Sequence, residues 1–316
     1  MDMDPKATYT FIGDVHGQAP TLHALLEKLG WAKRGQGQFK PRGREHLVFV
    51  GDLIDRGLHN LETVEIVRGL VERGDATCVM GNHEFNAVHF HTPHPLKPGT
   101  HLREQSDKNQ QQHQAVLDEL DRRPGFLRDM LAWVKTLPVA VEGPGWRCVH
   151  ACWHEGSLKT LTEVDKRWHL PADAWVAAAT KDTDEYAACE NLMKGPEQKL
   201  PGGGYFIDSN GIRRHHARIR WWASKPKTLE DALIIPTAME GIAPDAAYHN
   251  KKHSAYQSDA PPVFFGHYWN RGEPSPEAPN AVCLDYSAGR GEHLVAYRWN
   301  GDGPLNERGY VVQPVI

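Results

Sequence analysis

An excess of basic charge is the first thing this chain lacks. Lys and Arg total 36 against 40 for Asp and Glu, a formal charge of −4 over 316 residues. No electropositive face of the kind a long polyanion wants is therefore expected, and nucleic acid is set aside as a partner. Long apolar runs are also missing: none approaches the roughly 20 residues that span a bilayer. The start Met1-Asp2-Met3-Asp4-Pro5-Lys6 has neither the basic nor the apolar region of a secretory leader. A cytoplasmic protein with no membrane partner is the expectation. Cysteine is scarce and odd in number. Cys78, Cys148, Cys152, Cys189 and Cys283 mostly lie in apolar strand-like runs, which suits reduced thiols packed as small hydrophobes better than a disulfide framework. A thiolate metal site at Cys148 and Cys152 is the weaker reading, because zinc knuckles rarely interrupt a continuous strand pattern. No internal repeat or low-complexity tail is evident. A chain of this length buries a sizeable core, and one domain over 1–316 is expected, with cap insertions at about 85–135 and 153–262. Its oligomeric state is not legible.

Histidine is abundant, at 19, and tryptophan numbers 10. The positions say more than the totals. The β-rich run Thr8 to Ile12 ends in Gly13-Asp14-Val15-His16-Gly17, and Leu22, Leu25, Leu26 and Leu29 follow at helical spacing before Gly30. Leu47 to Val50 ends in Gly51-Asp52-Leu53-Ile54-Asp55-Arg56-Gly57, and Leu61, Val64, Val67, Leu70 and Val71 mark a second helix before Gly74. Ala76 to Met80 ends in Gly81-Asn82-His83-Glu84. Strand, helix, strand, helix, strand predicts a parallel sheet with right-handed crossovers, which brings all three loops to one edge. The stretch from Phe85 to about Gly125 carries His89, His91, His94, His101 and His113 among Pro, Gly and Gln. It reads as a surface insertion beside the site mouth, with a part in shaping the cleft as the other use. Phe126 to Leu137 is an apolar helical face stopped by Pro138, and a hairpin turns around Gly143-Pro144-Gly145 with its second arm ending at His150.

Beyond Trp153 the pattern is less regular. A helix is expected near Asp173 to Thr180, and the Arg, His and Trp run from Arg213 to Trp222 reads as part of a cap in which Trp221 and Trp222 anchor packing rather than stack on bases. Pro262 to Phe265 leads into Gly266-His267, and Ala281 to Leu284 leads into Asp285. Leu294 to Trp299 and Tyr310 to Ile316 look like closing antiparallel strands of a second sheet packed on the first. The fold class is α/β: two packed mixed sheets flanked by helices, a four-layer sandwich with inserted cap segments.

The strand ends deliver Asp14, His16, Asp52, Asn82, His150 and His267, with Asp55, Arg56 and His83 beside them. Any one of these could be a cap or turn former. Converging carboxylate, amide and imidazole ligands without thiolates suit two divalent ions that share a carboxylate. The three N-terminal motifs resemble the signatures of the phosphoprotein phosphatase branch of the calcineurin-like metallophosphoesterases, and Val149-His150-Ala151 and Phe265-Gly266-His267 resemble its later metal histidines. The resemblance is firm over about 8–85 and patchier around 146–152 and 263–299. It implies that Asp14, His16 and Asp52 hold one ion and that Asp52, Asn82, His150 and His267 hold the other, with Mn²⁺ first in line and Fe, Zn or Co also tolerated. It further implies that a hydroxide between the ions attacks phosphorus in line, that Arg56 and Asn82 hold the phosphate, and that His83, oriented by Asp55, protonates the departing oxygen.

There are departures. His150-Ala151-Cys152 replaces the usual His-Ala-Gly, and a second phosphate-clamping arginine does not align; Arg218 and Arg220 are the candidates, with Lys251 and Lys252 behind them. Asp285 to Gly289 resembles the tail of bacterial relatives that cleave symmetrical dinucleoside tetraphosphates, where Asp285 would orient a ligand histidine. The motifs alone favour a phosphatase acting on phosphoprotein or a small phosphorylated molecule, resembling bacterial serine/threonine phosphatases. A symmetrical bis(5'-nucleosyl)-tetraphosphate hydrolase is the alternative, and an inactive phosphate-binding scaffold the remote one.

Overall fold

Side-chain alternation decides the layers. The computed structural model describes residues 3–34, 38–40, 43–208, 211–235, 237–249, 255–301 and 303–316. Its main strands are β1 (Thr8–Ile12), β2 (Glu45–Phe49), β3 (Ala76–Cys78), β4 (Ala140–Gly143), β5 (Trp146–Val149), β6 (Val263–Phe265), β7 (Ala281–Cys283), β8 (Asp285–Tyr286), β9 (His293–Trp299) and β10 (Tyr310–Pro314). The main helices are α1 (Ala19–Lys28), α2 (Asn60–Glu72), α3 (Asn82–His91), α4 (Asp107–Arg122), α5 (Phe126–Val134), α6 (Glu155–Val164), α7 (Ala174–Ala179) and α8 (Asp184–Lys194). Successive strand residues point to opposite faces. Phe11, Val48, Cys148, Phe264 and Val282 therefore enter one apolar cluster between the two sheets. Their neighbours Ile12, Phe49, Val149, Phe265 and Cys283 enter the cluster that the helices cover.

In the first sheet β1 runs parallel to β2, and β2 parallel to β3, as the strand–helix alternation predicts. In the second, β6 lies parallel to both β5 and β7, and β4 closes the hairpin with β5. The fold is thus the expected α/β sandwich of two mixed sheets. The placement of the closing strands differs from expectation. β9 pairs antiparallel with β1 and β10 pairs with β9, so both belong to the first sheet rather than the second. Ala296 and Tyr297 are bonded to β1 on one edge and to β10 on the other. The run Leu294 to Tyr297 is buried without alternation, as a strand covered on both faces must be.

The stretch 85–125 is also more structured than a surface insertion. It contains the rest of α3 and all of α4, whose buried face is His113, Val116 and Leu120. Glu119 of α4 accepts the backbone N–H groups of Asn60 and Leu61 at 2.6 and 3.0 Å. It thereby satisfies donors that the first turn of α2 leaves unpaired and places negative charge at the positive end of that helix. Beyond α8, three short strands, Glu197–Lys199, His216–Ile219 and Leu233–Ile234, form a small sheet with its own apolar cluster around Leu200, Phe206, Ile219 and Leu229. Trp221 is a packing anchor: it is buried, and its indole N–H donates to the carbonyl of Ala151 at 2.9 Å. All five cysteines are free and buried, and among the described residues no helix is long and apolar enough to cross a membrane.

Between the sheets, the rings of Phe11 and Phe264 stack with centroids 3.6 Å apart and planes within 8°. Phe264→Ala should therefore lower the unfolding free energy by about 3–5 kcal/mol, read as a shift in urea midpoint at unchanged slope. A loss below about 1 kcal/mol would mean that the sheet interface does not depend on this pair.

Candidate metal centre

The loops that follow β1, β2, β3, β5 and β6 meet at one end of the sandwich. Asp52 stands at the middle. Its Oδ2 lies 3.3 Å from His150 Nε2, 3.7 Å from His16 Nε2 and 3.9 Å from His83 Nε2, and its Oδ1 accepts the backbone N–H of His83 at 2.9 Å. Two groups of three ligand atoms, His16–Asp52–His83 and Asp52–His150–His267, each lie within 4.8 Å of one another. Asp52 is common to both, and the first group holds His83 where the resemblance implies Asp14. Neither group includes a cysteine; burial instead pushes the Cys148 and Cys152 thiols up.

Two of the imidazoles are held by their other nitrogen. His16 Nδ1 donates to the carbonyl of Ile54 at 3.0 Å and His150 Nδ1 to that of Val50 at 2.8 Å, which turns both Nε2 atoms inward, the arrangement that orients metal-binding histidines. Asn82 Oδ1 lies 3.1 Å from His150 Nε2. Asp14 accepts the backbone N–H of His267 on Oδ2 at 3.0 Å. Its Oδ1 has no hydrogen-bond partner, and neither has His16 Nε2 nor His267 Nε2, although all three atoms are buried. Buried polar atoms left open are costly unless something unseen meets them. The three belong to the donor types of a divalent transition ion, and His16 and His267 each stand in a group with Asp52. The charges agree: burial, then the carboxylates of Asp285 and Asp52, holds the Asp14 pKa well above its usual range. A cation between these groups removes that conflict. The residues present therefore fit a metal pair.

The backbone is bent to make this possible. His16, Asp52, Asp55, Arg56 and His267 all have positive φ, between 48° and 76°, a region that non-glycine residues seldom occupy and that clusters at functional sites. The close approaches need glycine. A Cβ on Gly266 would lie 1.8 Å from Asp14 Oδ1, and one on Gly81 would lie 2.2 Å from the Asp52 nitrogen.

Two residues of the site were not assigned a role from sequence. Glu84 is fully buried, and its carboxylate accepts the backbone N–H groups of Gly81, Asp52, Leu53 and Ile54 at 2.8–3.3 Å. The signal was its place three residues after Gly81 at a helix start, the spacing of a capping box. The other is His113. Asp55 accepts from His83 Nδ1 at 2.5 Å with one oxygen and from His113 Nδ1 at 2.6 Å with the other. His91 Nε2 lies 3.1 Å from His113 Nε2 beyond it. Here the spacing of His113, Val116 and Leu120 marked a buried helical face within the histidine-rich stretch.

Other expected residues fall differently. Arg218 reaches the centre, its Nη1 donating to the carbonyl of His267 at 3.1 Å. Arg220 does not: it is exposed and turns to the carbonyl of Leu233. Lys251 and Lys252 lie outside the described residues. Among the described residues, Asp285 accepts from no histidine side chain. Its oxygens accept the backbone N–H groups of Trp269 and Ser287 at 2.8 and 3.0 Å, because β8 brings it to the loop after His267 rather than to an imidazole. Arg56 is exposed and stacks on Trp269.

Two mixed sheets between helices, with strand ends that gather carboxylates and imidazoles around one shared Asp, define a metallophosphoesterase scaffold. The chain belongs to the calcineurin-like phosphoesterase family, whose model matches residues 7–267. Among curated relatives, an asymmetrical bis(5'-nucleosyl)-tetraphosphatase of Halalkalibacterium halodurans is 44% identical over 75 residues, 24% of this chain and 30% of that protein. The match thus spans less than a third of that relative's length. A symmetrical bis(5'-nucleosyl)-tetraphosphatase of Azotobacter vinelandii is 26% identical over 86% of both chains. A protein serine/threonine phosphatase of Saccharomyces cerevisiae shares the fold, with a TM-score of 0.51 and 15% identity over 98% of this chain and 80% of that one.

Glu84→Gln would set an amide N–H₂ against backbone donors. Each buried donor left unpaired costs roughly 1–3 kcal/mol, so both unfolding free energy and bound metal should fall. Urea unfolding and elemental analysis check this, and full stability with a full metal complement would show that the Asp52 turn holds without it.

Proposed function

We propose that this chain hydrolyses the phosphoanhydride chain of dinucleoside tetraphosphates, in the symmetrical manner, at the Asp52 centre. The observation that carries the reading is the Asp52 carboxylate shared between two imidazole groups, with buried ligand atoms left open around it. Relatives that span most of the chain and bear the symmetrical tetraphosphatase name support this substrate class. In this reading Asp14, His16, Asp52, Asn82, His150 and His267 hold two divalent ions, Mn²⁺ foremost. When bound, such a pair supplies Lewis-acid polarisation of phosphoryl oxygens and lowers the pKa of water toward neutrality.

The chain's own residues do the rest. Arg56, exposed beside the centre, presents a planar fork of donors to the phosphoryl oxygens, aided by Asn82 and by Arg218. His83 is anchored by Nδ1 to Asp55, so its Nε2 faces the centre and carries the proton for the departing phosphate oxygen. Burial alone would lower the His83 pKa. The charges of Asp52 and Asp55, with the Asp55 hydrogen bond, outweigh it and the net shift is upward, which keeps the acid form populated at higher pH. Asp55 stays ionised because the hydrogen bonds from His113 and His83 outweigh the cost of its burial. His113 thereby fixes the carboxylate that fixes the acid. The cap segments at about 85–135 and 153–262 shape the cleft over this centre.

Phosphoprotein or a small phosphomonoester stands second, favoured by the retained Asp55–Arg56–His83 set, which serves a lone phosphate equally well. Side-by-side hydrolysis of diadenosine tetraphosphate, a phosphopeptide and an aryl phosphate decides between them. Preference for the dinucleotide by orders of magnitude, with two ADP as product, is expected; ATP plus AMP would mean asymmetrical cleavage, and preference for the phosphopeptide would reverse the ranking.

Two variants test the acid. His83→Ala should cut turnover on a poor leaving group by about 10²–10⁴-fold and on an activated aryl phosphate far less, with metal content unchanged. Equal losses would speak against proton donation. Asp55→Asn removes a charge that raises the His83 pKa, so the alkaline limb of the kcat profile should move to lower pH. An unmoved limb would assign it to another group.

A further inference from the structure

A row of titratable side chains leads away from the metal centre. His83 Nδ1 lies 2.5 Å from one oxygen of Asp55, His113 Nδ1 lies 2.6 Å from the other, and His91 Nε2 lies 3.1 Å from His113 Nε2. The row ties the loop after β2 to α3, which carries His83 and His91, and to α4, which carries His113. It runs through the interior, for Asp55 and His113 are buried. The ring of Phe90 stands edge-on to both outer imidazoles, with centroids 5.1 Å from His91 and 5.4 Å from His113.

Proton counting fixes which atoms donate. Asp55 stays ionised, and an ionised carboxylate only accepts, so both Nδ1 atoms facing it carry hydrogen. A neutral imidazole has one N–H. A neutral His113 therefore directs it to Asp55 and leaves Nε2 as a bare acceptor, and the 3.1 Å contact then requires His91 to donate from Nε2. A cationic His113 would reverse that last bond. The surroundings disfavour the cation. Asp55 carries one charge, which His83 meets in its acid form, and Arg103 stands near enough for the same charge to act on it. The amide oxygens of Asn86, Asn109 and Gln112 hold the Arg103 guanidinium in place at 2.6–3.1 Å. A charged His113 would set two buried imidazolium ions on one carboxylate. Nor does His91 take up the extra proton: burial, then His113 and His101, pushes its pKa down to about 4.

We propose that His91 is a positioning residue for the reaction: its Nε2–H donates to His113 Nε2, selects the His113 tautomer with hydrogen on Nδ1, and so keeps the Asp55 charge for His83. The proposal rests on His83 being the acid of the Asp52 centre, and it extends the support of that acid to a side chain beyond His113. The place requires a donor. An acceptor there draws a proton onto His113 and sets an imidazolium against Asp55 in competition with His83.

The test compares two side chains of one shape. His91→Gln offers an amide N–H₂ where the ring N–H stood, and His91→Glu offers oxygen alone. The full chain is loaded with Zn²⁺, a diamagnetic ion that these ligands tolerate, and nitrogen NMR of isotope-labelled histidine reads each tautomer, with His113→Gln identifying the His113 signals. His113 is expected neutral with hydrogen on Nδ1 in the unaltered protein and in His91→Gln, and with hydrogen on both nitrogens in His91→Glu. Turnover is measured beside it on aryl phosphates whose leaving phenols run from acidic to weakly acidic. His91→Glu should lower kcat for the least acidic phenol at least about tenfold more than for the most acidic, at unchanged metal content, whereas His91→Gln restores the donor and should keep the slope of the unaltered protein. A side chain that only packs would lower all substrates alike. Such a uniform loss, equal slopes in the two variants, or hydrogen on His113 Nε2 in the unaltered protein overturns the proposal. If His91→Glu does not fold, His91→Leu removes the donor without adding charge and should steepen the same dependence; an unchanged slope overturns the proposal there too. If His83→Ala itself leaves the slope unchanged, the acid reading falls, and the NMR tautomers alone decide whether His91 sets His113.

Discussion

The buried carboxylate of Glu84 is the tie on which the rest of the site depends. It takes backbone N–H groups from two different loops, Gly81 on one side and Asp52, Leu53 and Ile54 on the other. Burial, then the charge of Asp52, raises the Glu84 pKa to about 7; the backbone N–H groups favour its ionised form, in which such hydrogen bonds are about twice as strong as neutral ones, and they offset backbone that would not bend unaided. Left-handed φ at Asp52, Asp55 and Arg56 costs of the order of 1–3 kcal/mol per residue. The bend is what separates the roles of neighbouring side chains: Asp52 faces the imidazoles, Asp55 faces His83 and His113, and Arg56 faces outward onto Trp269. A straight strand would have sent alternate residues to opposite faces and dispersed them.

Electrostatics then makes the cluster incomplete as protein alone. Asp14, Asp52 and Asp285 are buried near one another, while His16 and His267 present nitrogens that meet no donor or acceptor. Desolvated carboxylates and neutral imidazoles of this kind are stabilised together only by positive charge.

Much of this was legible in the sequence, and the reason is local. Each strand-end motif is short and stands where a buried run stops, so Asp14, His16, Asp52, Asn82, His150 and His267 could be read from position alone, and the structure brings them together at one end of the sandwich. What was not legible depended on distant partners. Glu84 acts through backbone groups 30 to 32 positions earlier in the chain, and His113 through a carboxylate 58 positions away. Arg218 and Arg220 alternate in one strand-like run, and nothing in the run says which faces His267. The sheet membership of Leu294 to Trp299 was misread for the same reason. An apolar run shows that a strand is covered, not which edge covers it.

That last strand has a bearing on synthesis. The Gly13–Gly17 loop follows β1, and β1 finds its second neighbour only in residues 296–299. Emerging from the ribosome, the N-terminal half can pair β1 with β2 and β2 with β3 but leaves one edge of β1 open until residues 296–299 follow. Long-range pairings of this sort slow folding and expose strand edges meanwhile. A chain cut short before β9 keeps Asp14, His16, Asp52, Asn82, His150 and His267 yet lacks the strand that closes the edge of β1.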